Sequence, residues 1–185
     1  MDQIIIGLCG KGGSGKTTFA KYIMQHSSIP FVNVNFKDAL VKMAKSIGWN
    51  GEKDERGRKL LQTLGTDVVR DCINENYWIN AWYDTVKFDW FIGGKSIIVD
   101  DVRFENEVMI IRDLSNEKRM KSDIVQLVTK NQPEIMTDQA KQHRSELGLR
   151  DNIIDVVITM EYGLNFVEQA VKQYLDDLQI LKKGN

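Results

Sequence analysis

Eight consecutive residues, Gly10, Lys11, Gly12, Gly13, Ser14, Gly15, Lys16 and Thr17, spell G-x-x-x-x-G-K-[ST] in full. Glycines at these positions let successive backbone N–H groups turn inward around a phosphate. A helix starting at Lys16 adds the positive end of its dipole. Lys16 is then the contact for the β and γ phosphates of ATP, and the Thr17 hydroxyl is a ligand for Mg²⁺. Thr18, in the first helical turn, completes the ATP-binding set. A second carboxylate source lies downstream, where the apolar run Ser96–Val99 ends abruptly in Asp100 and Asp101. Loops of this phosphate-binding type hold their metal with an aspartate at such a strand end. Spacing leaves open which of the two faces the metal. Transfer between phosphorylated molecules also gathers negative charge, which planar guanidinium groups hold bidentately. Arg103 lies two residues past Asp101, Arg58 heads a long helical pattern, and Arg144 ends a polar stretch.

These groups need a frame that brings distant segments to one edge. Ile4 to Cys9 reads as a buried strand and Lys16 to about His26 as a helix. Phe31 to Asn35 follows as a strand, and Lys37 to Ile47 as a helix with Leu40, Met43, Ala44 and Ile47 on one face. From Arg58 to about Ile73, Leu60, Leu61, Leu64, Val68 and Cys72 recur at helical spacing. Tyr77 to Lys87 is a second helical stretch. Strands at Ser96–Val99, Ile124–Val128 and Ile153–Thr159 alternate with helices at Asn106–Leu114 and Leu164–Leu181. The last helix has Leu164, Val167, Val171, Leu175, Leu178 and Leu181 on one face. Thr129 to Ser145 reads as a mobile flap. Alternation of this kind predicts an α/β fold in one domain over residues 1–185, with a mostly parallel sheet of about five strands covered on both sides. Ligands bind such sheets beyond the carboxyl ends of their strands, where both the glycine loop and Asp100 emerge.

Composition narrows the partners. A net charge of -1 gives no global reason to bind nucleic acid polymers. No apolar run approaches the roughly 20 residues that cross a bilayer. With Cys9 and Cys72 as the two cysteines, neither a disulfide framework nor a cysteine metal site is expected, which fits a reducing cytoplasm. By bulk, Trp78, Trp82 and Trp90 read as core or interface rather than as base-stacking platforms. His143, in the flap, reads as structural.

On these residues the chain resembles the phage-type deoxynucleoside monophosphate kinases, relatives of the nucleoside monophosphate kinases. The resemblance is carried by Gly10 to Thr17, Phe36-Lys37-Asp38-Ala39-Leu40, and Arg58-Lys59-Leu60-Leu61-Gln62-Thr63-Leu64-Gly65-Thr66-Asp67. It continues through Tyr77-Trp78, Asp101-Val102-Arg103, and His143-Arg144-Ser145-Glu146 followed by Gly148-Leu149. It implies a P-loop kinase fold with a helical acceptor-binding region at about 37–90 and a short lid at about 130–146. It also implies acceptor contacts from Asp38, Arg58, Lys59, Asp67, Trp78 and Arg103, and a metal corner at Thr17 with Asp101 or Asp100. Arg144 would meet the migrating charge as the lid closes. The chain departs from the family at Thr159-Met160-Glu161, where asparagine is common. Animal-type phosphomevalonate kinases share the Asp-x-Arg corner, which leaves another small phosphorylated acceptor open. Lys11-Gly12-Gly13 is also similar to the loop of dimeric partitioning-type ATPases, whose extra lysine crosses a homodimer interface. The aspartate-rich switch segments of those proteins have no counterpart after Phe31. The expectation is an ATP- and Mg²⁺-dependent kinase acting on small nucleotides, cytoplasmic, or in the host cytoplasm if phage-encoded.

Overall fold

The structure, a computed structural model, describes residues 3–52, 54–133 and 142–182, with the side chains of 88–92 excepted. Five strands form one parallel sheet in the order β2-β3-β1-β4-β5. They are β1 (Ile4–Cys9), β2 (Phe31–Asn33), β3 (Ser96–Val99), β4 (Lys121–Lys130) and β5 (Val156–Glu161). Among the described residues, six α-helices connect or cover them: α1 (Lys16–His26), α2 (Lys37–Ser46), α3 (Glu55–Gln62), α4 (Tyr77–Gly93), α5 (Glu105–Lys118) and α6 (Leu164–Asp177). A π-helix, Thr63–Ile73, continues α3 without a break.

The core follows from the two-residue period of a strand. Ile4, Ile6 and Leu8 of β1 point to one side, against Phe19 and Ile23 of α1 and Val171 and Leu175 of α6. Ile5 and Cys9 point to the other, against Trp82 and Val86 of α4 and Ile111 and Leu114 of α5. Each fully buried side chain of this size contributes roughly 1.5–3 kcal/mol. Because β1 is central and pairs Gly7 with Val99, the loops that follow β1 and β3 leave the sheet side by side. The Val102 N–H donates to the Leu8 carbonyl at 3.1 Å and ties them together.

Three apolar faces differ from expectation. Ile47 is 64% exposed because α2 stops at Ser46, and Leu164 is equally exposed at the first residue of α6. The larger difference is at 63–73, where ordinary helical spacing put Leu64, Val68 and Cys72 inward. The winding here is wider, as the Asn74 N–H bonds the carbonyl of Val69, five residues back, at 2.8 Å. The buried face is therefore Gly65, Thr66, Val69 and Arg70, while Val68 and Cys72 are exposed. Gly65 packs closely on α2: a Cβ there would lie 2.8 Å from a methyl of Leu40, which would have to shift. Trp78 is buried beneath this turn and donates its indole N–H to the Gly65 carbonyl at 2.8 Å. With its ring buried and its N–H engaged, it packs as a core residue. The Trp90 side chain lies outside the described residues, as do residues 134–141 of the expected flap. Among the described residues, no helix is long and apolar enough to cross a membrane.

Candidate active site

Between β1 and α1 the backbone makes the cradle. Gly10 has φ 133°, and a Cβ on it would meet the Leu127 carbonyl oxygen at 2.5 Å, so no side chain fits where β4 passes the loop. Gly13 and Gly15 also take positive φ, which the other residues avoid. Gly15 caps α1 with no side chain accepting from the first turn, so those N–H groups remain available to an anion. Ser14 is buried, its N–H donating to the Lys11 carbonyl at 3.2 Å and its carbonyl accepting from Thr129 Oγ1 at 3.0 Å. Lys16 curls back over the loop, with Nζ donating to the carbonyls of Gly10 (2.7 Å) and Lys11 (2.9 Å). Burial, then the nearby charge of Arg103, pulls its ammonium down to about 8. The Lys11 side chain is exposed, and what this residue gives the loop is its carbonyl.

The two aspartates divide their work. Burial raises the Asp100 carboxyl, but the charge of Lys37 and hydrogen bonds from Lys37, Thr17 and Asn33 outweigh burial and hold it below its ordinary range. Lys37 Nζ is its ion-pair partner. Asp101 turns away: its two oxygens accept the backbone N–H groups of Phe36 (3.1 Å) and Lys37 (2.8 Å) at the start of α2. Burial raises its pKa. Both oxygens of Asp101 accept amides, and Asp100 is the carboxylate beside Thr17, so of the two aspartates left open by spacing it is Asp100 whose position suits a metal. Asn33, also beside Asp100, keeps a buried Oδ1 with no hydrogen-bond partner among the described residues. An orphaned acceptor, an ionised carboxylate and a hydroxyl at one corner form a donor set suited to a hard cation such as Mg²⁺.

Arg103 reaches the far end of the expected lid, donating to the Ser145 carbonyl at 3.0 Å and pairing with Glu146. The same turn is anchored to the π-helix. His143 Nε2 lies 3.2 Å from Asp67, and Arg144 pairs with Asp71 at 2.8 Å and Glu75 at 3.2 Å. Arg144 thus stands on the π-helix rather than at the phosphate loop. Asp38 is exposed and accepts the Asn35 N–H at 2.9 Å, Lys59 is exposed, and Arg58 is half-buried in α3.

Residues 32–171 match the family described as deoxynucleotide monophosphate kinase. The chain belongs to that family. It is accordingly an ATP-dependent kinase whose substrates are small nucleotides. A protein of Acanthamoeba polyphaga mimivirus, provisionally named a deoxynucleotide monophosphate kinase, is 29% identical over 175 residues, which cover 80% of this chain and 83% of the relative. Solved structures share the fold at low identity. The tunicamycin resistance protein of Deinococcus radiodurans has a TM-score of 0.56 at 14% identity, covering 98% of this chain and 99% of its own. A sugar kinase from Janibacter sp. HTCC2649 gives 0.54 at 15%, covering 97% and 96%. The Mycobacterium tuberculosis APS kinase CysC, solved with AMPPNP and APS, gives 0.51 at 12%, covering 96% and 98%.

In this kinase the spacing of charged residues did not single out four that the fold gathers at the site: Lys37 on Asp100, Glu146 on Arg103, and the buried pair of Arg70 and Glu107. Lys37 and Glu146 could have been flagged by their neighbours in the Phe36–Leu40 and His143–Glu146 motifs. Arg70 carried no signal, because an ordinary helical wheel turns it outward.

Proposed function

We propose that this protein transfers the γ-phosphoryl group of ATP to a deoxynucleoside 5′-monophosphate, giving the diphosphate and ADP. The observation that supports this most is the position of Arg103. Its charge reaches Lys16 of the donor loop while its guanidinium holds the lid end. One side chain therefore links the donor cradle to the segment that would cover an acceptor.

On this reading Lys16 leaves the Gly10 and Lys11 carbonyls for the β and γ phosphate oxygens, and the open N–H groups at the start of α1 receive the β phosphate. Mg²⁺ held by Thr17 and Asp100 would neutralise charge on the phosphate oxygens. Arg103 exchanges the Glu146 carboxylate for phosphoryl oxygens, a swap between two anions that suits its planar fork. Arg144 makes the corresponding exchange from Asp71 and Glu75. Arg58, Lys59, Asp38 and Asp67 surround the acceptor on the helical side. The lid over about 130–146 excludes water, so that phosphate passes to the nucleotide rather than to solvent.

The test is an acceptor panel. Purified protein with ATP and Mg²⁺ is offered each deoxynucleoside and ribonucleoside monophosphate and a phosphorylated alcohol, and products are separated by ion-exchange chromatography. Diphosphate formed from at least one deoxynucleoside monophosphate, in step with ADP, is the expected result. Consumption of the phosphorylated alcohol alone would move the acceptor to another class.

A further inference from the structure

We propose that Glu107 and Arg70 form a buried positioning pair that sets the backbone carrying Arg103 and couples it to the acceptor-side π-helix. Both side chains are almost wholly buried, at 3% and 4% exposure, and they form an ion pair between α5 and the π-helix, 37 residues apart. Glu107 is also the anchor of its own loop. Its Oε2 accepts the N–H of Arg103 at 2.7 Å and of Phe104 at 3.1 Å, while Oε1 accepts from Arg70. Arg70 is fixed three ways: by Glu107, by the Glu75 carbonyl at 3.1 Å, and by stacking over the Phe104 ring at 4.2 Å. Arg144 lies over the same ring at 5.4 Å. The chain thus runs from Arg103 through Glu107, Phe104 and Arg70 to Glu75, where Arg144 is bound.

Burying two charges is costly unless their hydrogen bonds are satisfied, and replacing such a pair by apolar residues often leaves stability unharmed. Stability alone does not account for it. What an apolar replacement could not supply is direction: a carboxylate that accepts two successive amides and one guanidinium fixes the Arg103 backbone relative to residues 63–75. The groups facing Glu107 are Arg70 from the π-helix, the amides of Arg103 and Phe104, and the charge of Asp101. Neither Glu107 nor Arg70 need touch a nucleotide, so both act through Arg103 and the π-helix.

This inference rests on the transfer reading above, and its test separates the two. Glu107→Gln keeps an oxygen for the two amides but removes the charge, and Arg70→Lys keeps the charge but loses the fork and the stacking. Each single variant, and the double, is assayed for ATP affinity, acceptor KM and kcat per ATP-binding molecule, with thermal unfolding followed on the same samples. The expected result is kcat lowered about 10- to 100-fold at near-constant ATP affinity, with the double variant no worse than the poorer single, as for residues that act as a unit. Full kcat per ATP-binding molecule, or losses that multiply, would overturn it. Amide hydrogen exchange on the unliganded protein covers the case in which a variant folds poorly or the wild type transfers nothing. Glu107→Gln should speed exchange in both 63–73 and 100–106 while 4–9 stays protected. Faster exchange in 100–106 alone would sink the coupling whatever the acceptor proves to be.

Discussion

The phosphate-loop side of this protein is made of backbone, and the proposed acceptor side is made of side chains. Residues 10–17 form their cradle locally, from glycines at positive φ and a helix start, with one lysine folded over them. By contrast, residues 63–75, 100–107 and 142–146 are joined by ion pairs that span 37 to 73 residues of sequence. The difference teaches where each half can fail. The cradle depends on its own residues and on β4 beside it, whereas a tertiary network can be weakened from any of its segments.

The comparison predicts the largest effect for the donor lysine. Lys16→Met should lower transfer by about 10³ and weaken ATP binding as well, measured by initial rates and by titration calorimetry, because that side chain serves both bound ATP and the transition state. Retained ATP affinity would show that backbone N–H groups alone hold the triphosphate. Arg103→Ala should lower kcat by about 10² with ATP affinity nearly unchanged. Equal losses in both would erase the proposed boundary between the halves.

Much of the donor side was legible in the sequence because its demands are local. Gly10, Gly13 and Gly15 sit where the backbone needs positive φ, and the neighbouring strand and helix declare themselves by period. The parallel sheet was legible for the same reason. On the acceptor side the residues were visible but their partners were not. Asp100 and Asp101 differ only in which direction the chain turns after β3, and that turn is set by the amides of Phe36 and Lys37, 65 and 64 residues away. The π-winding at 63–73 moved Arg70 inward and Cys72 outward, which no count at ordinary helical spacing reveals.

Smaller effects sharpen the contrast. Trp78→Phe leaves the Gly65 carbonyl without its buried donor and should cost about 1–3 kcal/mol of stability by denaturant unfolding, with ATP affinity unaffected. Loss of ATP binding instead would tie the π-helix to the donor loop. The lowered Lys16 gives a pH signature whose sign is fixed. Its folded value of about 8 lies below the unfolded value, so the free protein sheds this proton as pH rises past 8, and bound triphosphate should restore it. ATP affinity should therefore fall above pH 8, with proton uptake on binding in calorimetry across buffers of different ionisation enthalpy. Stability itself should rise over the same range, as the cost of burying the charge is relieved. No uptake at pH 8.5 would mean Lys16 stays charged in the free protein. Smallest is Asp71→Asn, which removes one exposed partner of Arg144 and should change stability by less than about 0.5 kcal/mol, read from the denaturant midpoint.

The most direct measurement follows the label of γ-³²P-ATP in the presence of Mg²⁺ and an accepted deoxynucleoside monophosphate. If the two halves work as described, the label appears in the deoxynucleoside diphosphate, and little inorganic phosphate forms with or without acceptor. Label released as inorganic phosphate at the same rate whether or not a monophosphate is present would contradict the account.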